Sequence, residues 1–182
     1  MMNTDCAKSI ARKRDGYMSE FLKEFYDEWN EQQERMPCMI REISENDLDG
    51  LLKLYMQLHD NPMPEKTNAL LQIWDAVFQD KNHHVIVAEE NGEIVSSCVC
   101  VIIPNLTHNQ QPYAFIENVI TDEKYRKRGL ATQCLNFAKE IALKENCYKM
   151  MLLTGSKKES TLDFYRKAGY NSDDKTAFIQ WI

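Results

Sequence analysis

The residues best suited to chemistry lie in one basic turn, Tyr125-Arg126-Lys127-Arg128-Gly129-Leu130-Ala131-Thr132. It falls between a strand pattern and an amphipathic helix pattern. A glycine at a helix start lets a ligand approach the backbone closely. The N–H groups of the first helical turn have no partner within the helix, and the helix dipole adds positive potential there. Lys124, Arg126, Lys127 and Arg128 place four cations beside that turn. This combination suits a di- or polyphosphate; its plainer reading is a solvated basic turn with a helix cap. The G-x-x-x-x-G-K-S/T loop is absent, as is the G-x-G-x-x-G dinucleotide fingerprint.

Other reactive side chains carry weaker signals. His83 and His84 are adjacent, so on a strand they diverge and make a poor metal pair; no metal is expected. His59 and His108 sit in helix-end and loop contexts. Cys6, Cys38, Cys98, Cys100, Cys134 and Cys147 form no C-x-x-C pair and match no zinc spacing. They read as reduced, cytoplasmic thiols, with Cys98 and Cys100 as small core residues. No evident base stands beside Cys134 or Cys147, which argues against a covalent intermediate on either thiol.

The rest of the chain must position that turn. It has 182 residues, 43% of them hydrophobic, enough for one domain with an added element. Its net charge of −6 disfavours non-specific attraction to nucleic acid or anionic lipid, so neither is an expected partner. The longest apolar run, Cys98 to Ile103, falls well short of the roughly 20 residues of a membrane span. The first ten residues hold no stretch fit for a signal peptide.

Residues 1–38 read as a helical extension. Met18, Phe21, Leu22, Phe25 and Trp29 follow helical spacing, with charged residues between them. Ahead of them runs a basic stretch with Lys8, Arg12, Lys13 and Arg14, and Pro37 ends the helix. Such a helix could pack on the main domain or serve as a dimerisation arm. A third reading is a dispensable tail from an upstream start, since Met36 and Met39 stand at the domain start.

From residue 39 to 182 the pattern becomes α/β. Strands are expected at Met39–Ile43, Val85–Ala88, Glu93–Ile103, Tyr113–Ile120, Tyr148–Leu153 and Thr176–Trp181. Helices are expected around Leu48–Leu58, Leu70–Phe78, Gly129–Asn146 and Ser160–Ala168. Asn91-Gly92 is a type I′ hairpin signal. The order implies a mixed sheet with helices on both faces.

Three segments together carry a family resemblance. Arg126-x-x-Gly129-x-Ala131 resembles the R/Q-x-x-G-x-G/A acetyl-coenzyme A motif of the GNAT superfamily of N-acetyltransferases. Phe164-Tyr165-Arg166-Lys167-Ala168-Gly169-Tyr170 is similar to that family's F-Y-x-K-x-G-F/Y segment. Ile116-Glu117-Asn118-Val119-Ile120 leads into the basic turn as the family's fourth strand does. Together with Tyr125-Arg126 and Cys147-Tyr148-Lys149-Met150, it resembles the glucosamine-6-phosphate N-acetyltransferases within the superfamily.

The resemblance implies a mostly antiparallel sheet whose central strands splay apart to admit acetyl-CoA as co-substrate. It implies that Arg128, Gly129, Leu130, Ala131 and Thr132 take the pyrophosphate mainly through N–H groups, with Arg126 as the motif's side chain. Val119 and Ile120 would offer backbone groups to the pantetheine arm. Thr161 or Ser160 falls where many relatives carry an asparagine that touches the co-substrate. Tyr165 would donate a proton to the leaving sulfur. Glu117 is the candidate base, acting directly or through water; an acceptor-binding group or a structural ion pair is the other reading of it. Alternation puts Tyr113, Phe115, Glu117 and Val119 on one face, among apolar neighbours that would raise the carboxyl pKa.

The implied partner is a small-molecule amine. The loop Asn105–Gln111 is polar and nearly uncharged, unlike the acidic patch expected for a polycationic aminoglycoside or a histone tail. An amino sugar or its phosphate fits better, with Lys157 and Lys158 available to a phosphate. A protein or peptide N-acetyltransferase and a non-catalytic acetyl-CoA sensor are the alternatives. Relatives often pair, so a homodimer is a further expectation.

Overall fold

The computed structural model describes residues 38–59 and 62–182. The expected helix at Met18–Trp29, its basic lead and Pro37 lie outside the described residues.

Five strands form one sheet in the order β1-β2-β3-β4-β5. They are β1 (Met39–Glu42), β2 (His83–Glu90), β3 (Glu93–Ile103), β4 (Tyr113–Thr121) and β5 (Met150–Leu152). The first three pairings are antiparallel, and β4 pairs with β5 in parallel. Among the described residues, four α-helices accompany the sheet: α1 (Leu48–His59), α2 (Asn68–Gln79), α3 (Leu130–Lys144) and α4 (Glu159–Lys167). The β2–β3 turn has positive φ at both Asn91 (53°) and Gly92 (78°), as a type I′ hairpin requires.

The sheet buries both faces, each against different helices. On one, Ile86, Cys98, Cys100 and Ile116 pack against Cys134, Leu135, Ala138 and Ile141 of α3, with Phe164 and Tyr165 of α4 alongside. On the other, Val85, Val87 and Val99 meet Leu51 and Tyr55 of α1 and Trp74 and Val77 of α2. Cys98 and Cys100 are fully buried, as small core residues should be. Arg41 ties the start of α1 to the sheet. Its guanidinium meets Asp47 at 2.6 and 2.9 Å and Glu89 at 2.7 Å. Those bonds hold the Asp47 carboxyl below the usual aspartate range.

One expected strand does not form. Thr176–Trp181 pairs with nothing in the sheet, and Phe178 and Trp181 are 91% and 89% exposed. Strand-prone residues become a strand only when a ladder partner supplies their hydrogen bonds. After Tyr170 the chain runs through the polar segment Asn171–Lys175 and meets no such partner. The β5 segment is also shorter than the expected Tyr148–Leu153, and it is half-buried rather than buried.

Candidate functional site

The site is built where β4 loses one neighbour. On its β5 side, pairing covers only Ala114, Phe115 and Ile116 opposite Met150, Met151 and Leu152. Beyond Ile116 the two parallel strands part, although β4 continues to Thr121. Its other edge stays bonded to β3 as far as Thr121 opposite Ser96. From Glu117 onward β4 therefore has one open edge among the described residues. That is the splayed notch implied by the sequence.

A bulge interrupts β4 at the head of the notch. Val99 faces Glu117 and Ser97 faces Ile120, so Asn118 and Val119 together oppose Cys98. Asn118 has a φ of 51°, a left-handed value that asparagine tolerates better than most residues. The bulge overturns the expected alternation. Glu117 shares a face with Val99, on the α1 and α2 side. Val119 instead packs with Ala114 and Ile116 on the α3 side. Glu117 is exposed rather than set among apolar neighbours.

The end of β4 and the basic turn are held by side chains the sequence did not single out. Ser96 Oγ donates to the Ile120 carbonyl at 2.8 Å and lies 2.8 Å from Thr121 Oγ1. The Gln57 amide reaches across from α1. It donates to Asp122 Oδ2 at 2.7 Å and accepts from the Glu123 N–H at 3.2 Å. Asp122 Oδ1 accepts from the Lys124 N–H at 2.9 Å. No local motif marks Gln57, because its partners lie 65 and 66 residues away.

The turn then makes two left-handed steps, Lys127 (φ 65°) and Gly129 (φ 77°), before α3 begins at Leu130. The first helical bond runs from Gln133 N–H to Gly129 O at 3.0 Å. Leu130, Ala131 and Thr132 thus keep backbone N–H groups without a helical acceptor. A Cβ added at Gly129 would meet no atom within 4 Å, so the cradle there is open. Free N–H groups at a helix start suit an anion in general.

The arginine side chains are partly engaged elsewhere. Arg128 bonds Glu90 at 2.7 Å and lies 5.3 Å from the centroid of the Tyr125 ring. Arg126 Nε donates to the Thr121 carbonyl at 3.2 Å, and its guanidinium stands 3.5 Å from Glu123. Arg126 thus braces the turn. The backbone N–H groups of residues 130–132 have no such partner within the helix.

Across the notch stands Tyr165, on α4. Its ring packs against Phe164 at 4.9 Å and edge-on to Tyr170 at 6.1 Å. Burial first, then the nearby Cys98 and Glu117, raise its pKa above the ordinary phenol value. The structure thus brings Tyr165 within electrostatic reach of Glu117, one from each face of the sheet. Thr161 is half-buried on the first turn of α4, whereas Ser160, Lys157 and Lys158 are exposed. Burial pushes the Cys134 thiol up to about 12 and also raises Cys147, so both are poor nucleophiles.

The face bearing α2 is more open. Leu71 and Ile73 are 41% and 62% exposed, and no α2 residue is fully buried. The loop before β4 is a left-handed turn, with positive φ at His108, Asn109 and Gln110. His108 stacks on Tyr148 at 4.1 Å, and Lys149 Nζ lies 5.2 Å from the Tyr113 ring centroid. These groups surround the closed end of β4, away from the notch.

Residues 12–170 match the Acetyltransferase (GNAT) family. The chain belongs to the GNAT family. That makes it a member of a family of acyltransferases whose relatives are named N-acetyltransferases. A glucosamine 6-phosphate N-acetyltransferase from Trypanosoma brucei brucei is 30% identical over 140 residues, covering 75% of this chain and 90% of that protein. A putative acetyltransferase from Agrobacterium tumefaciens superposes with a TM-score of 0.73 at 36% identity, over 79% of this chain and 99% of the other. An aminoglycoside N-acetyltransferase in complex with CoA shares the fold, with a TM-score of 0.67 at 18% identity. That match spans 80% of this chain and 95% of the other. The fold described above is thus one seen with CoA bound in another protein.

Proposed function

We propose that this protein transfers an acetyl group from acetyl-CoA directly to the amine of a small molecule, with an amino sugar phosphate as the favoured acceptor. One observation carries the reading. The open edge of β4 from Glu117 onward leads, through the turn of residues 122–129, to the free N–H groups of Leu130, Ala131 and Thr132. An extended pantetheine arm can add to that edge as a strand would, while its pyrophosphate rests on the helix start. Val119 and Ile120 lie along the arm, and Thr161 lies beside it on α4.

The chemistry follows from three demands. An alkyl ammonium with a pKa of ~10 is no nucleophile until it loses a proton. Glu117, exposed at the mouth of the notch, takes that proton directly or through water. The amine nitrogen then attacks the thioester carbon, and the carbonyl oxygen gains charge that a backbone N–H of β4 stabilises. The C–N bond forms, the C–S bond breaks, and the sulfur leaves as a thiolate. Tyr165 serves that sulfur. Its raised pKa keeps the phenol protonated at neutral pH, and a thiolate with a pKa of ~8.5 is the weaker base. Tyr165 therefore acts chiefly by hydrogen bonding as charge builds, and the proton reaches sulfur as products leave.

The acceptor class rests on two supports. The relative from Trypanosoma brucei brucei is named for glucosamine 6-phosphate. Lys157 and Lys158, exposed beside α4, are available to a phosphate. Calorimetry with acetyl-CoA, paired with thiol release over an amine panel that includes glucosamine 6-phosphate and peptides, tests the whole reading. Binding with release on a sugar phosphate supports it. Release only on peptides would move the acceptor to proteins, and binding without any release would make the chain a sensor. Absence of binding would reduce the basic turn to a solvated helix start.

A further inference from the structure

The segment that carries β4 into the basic turn has little packing beneath it. Asp122 and Tyr125 border an open cavity of about 330 Å³, whose other walls include Lys53 and Leu54 of α1 and Glu93 and Ile94 of β3. Tyr125 packs against the α3-side core, but Glu123, Lys124 and residues 126–129 are exposed. A segment with so few buried contacts is held by its hydrogen bonds or not at all.

Gln57, one helical turn past Lys53, supplies two of those bonds from a different element. Its amide is used at both ends: Nε2 donates to Asp122 Oδ2 at 2.7 Å, and Oε1 accepts from the Glu123 N–H at 3.2 Å. A flipped amide would set oxygen against carboxylate and NH2 against N–H, so the partners dictate its orientation. Asp122 passes the hold onward. Its Oδ1 accepts from the Lys124 N–H and its carbonyl from the Tyr125 N–H, both at 2.9 Å. Three successive N–H groups thus end on Gln57 or Asp122. The bond from Gln57 is also the foremost cause holding the Asp122 carboxyl below the usual aspartate range, which keeps it an acceptor. The far end of the strut is firm, since Leu51 of α1 is buried against Val85, Val87 and Val99.

We propose that Gln57 is a positioning residue: from α1 it fixes the Asp122–Tyr125 segment and so pre-sets how the chain enters the helix start at Leu130. The fixing stands on the hydrogen bonds alone. Its effect on co-substrate affinity rests on the acetyl-transfer reading, which puts the pyrophosphate on the N–H groups of residues 130–132. A turn already in place spares the ligand the cost of ordering it.

The test is Gln57→Leu, which removes both bonds, beside the exchanged pair Gln57→Glu with Asp122→Asn. In the pair a carboxylate at position 57 accepts from the Glu123 N–H and from the amide at position 122, whose oxygen still accepts from Lys124. Net charge is unchanged. Amide hydrogen exchange is read on the free protein, with CoA calorimetry and steady-state rates beside it. Gln57→Leu raises exchange at Glu123, Lys124 and Tyr125 by about tenfold, as for one lost hydrogen bond to a charged group, and leaves Ala114–Ile116 unmoved. It weakens CoA binding and raises KM for acetyl-CoA by a similar factor. Meanwhile kcat stays within about twofold, because the share of competent molecules falls and the chemistry does not change. The exchanged pair returns exchange and affinity to within about threefold of wild type, whereas Gln57→Glu alone does not.

Unchanged exchange in Gln57→Leu overturns the proposal. So does a pair that stays as impaired as Gln57→Leu, which would mark Gln57 as packing alone. A fall in kcat, or an exchange response with CoA affinity unmoved, overturns the effect on the co-substrate. If the wild-type protein binds no CoA but the turn responds to Gln57→Leu and recovers in the pair, the positioning stands and the acetyl-transfer reading fails. Should Gln57→Leu not fold, Gln57→Glu alone carries the same criteria.

Discussion

The two ends of β4 share a strand and little else. At the Tyr113 end both edges are paired, and the loop ahead of it is closed by His108 stacked on Tyr148. At the Thr121 end one edge is open, a bulge shifts the faces, and free helical N–H groups follow. The difference lies only partly in composition, Tyr-Ala-Phe-Ile in one half against Glu-Asn-Val-Ile-Thr in the other. It comes chiefly from where β5 stops. A strand three residues long leaves its neighbour half-solvated, and that half can take a ligand.

Substitutions can break this contrast, and the largest losses belong at the open end. Tyr165→Phe should lower kcat by about 100-fold, as expected for a lost hydrogen bond to charge developing in the transition state, with CoA binding by calorimetry unchanged. Glu117→Gln should cost ~10–100-fold at pH 7. Much of that rate should return as the pH approaches ~10, where the amine deprotonates unaided, and a pH–rate profile would show it. Gly129→Val places a branched Cβ at a φ of 77°. It should weaken CoA binding at least about tenfold, matching the ~1–2 kcal/mol cost of a left-handed side chain. At the closed end, Tyr148→Ala should leave both binding and kcat within about twofold. It should cost ~1 kcal/mol in denaturant unfolding through the lost ring stack. A large catalytic effect from Tyr148→Ala would erase the contrast.

Alkali should weaken the whole fold. The buried Cys100 and Cys134 thiols are pushed up to about 12, as is the Tyr55 phenol. Unfolded thiols lose their protons near pH 8.5–9, so above that range the unfolded chain binds fewer protons than the folded one. Stability is thus fully present below pH ~8.5 and falls steadily toward pH 12. Denaturant melts across that window would measure the slope.

The elements of the notch were legible in the sequence because they are local. Arg126, Gly129 and Ala131 lie within one turn, and Asn91-Gly92 declares its hairpin without help from the rest of the chain. The bulge was not legible. Asn118 looks like any alternating strand residue until β3 is laid against it, and only then do Glu117 and Val119 part to opposite faces. Gln57 was missed for the same reason, since its partners lie 65 and 66 residues away. Thr176–Trp181 failed in the opposite sense: its propensity is real, but no partner strand meets it.

The open edge of β4 also makes the ligand part of the architecture. A molecule that binds only the folded chain stabilises it by mass action, by ~2.7 kcal/mol at one hundred times its dissociation constant. For a chain of this size that is ~5–10 °C in thermal midpoint. Under the proposed acetyl transfer, a three-residue β5 would couple the stability of the fold to the supply of acetyl-CoA.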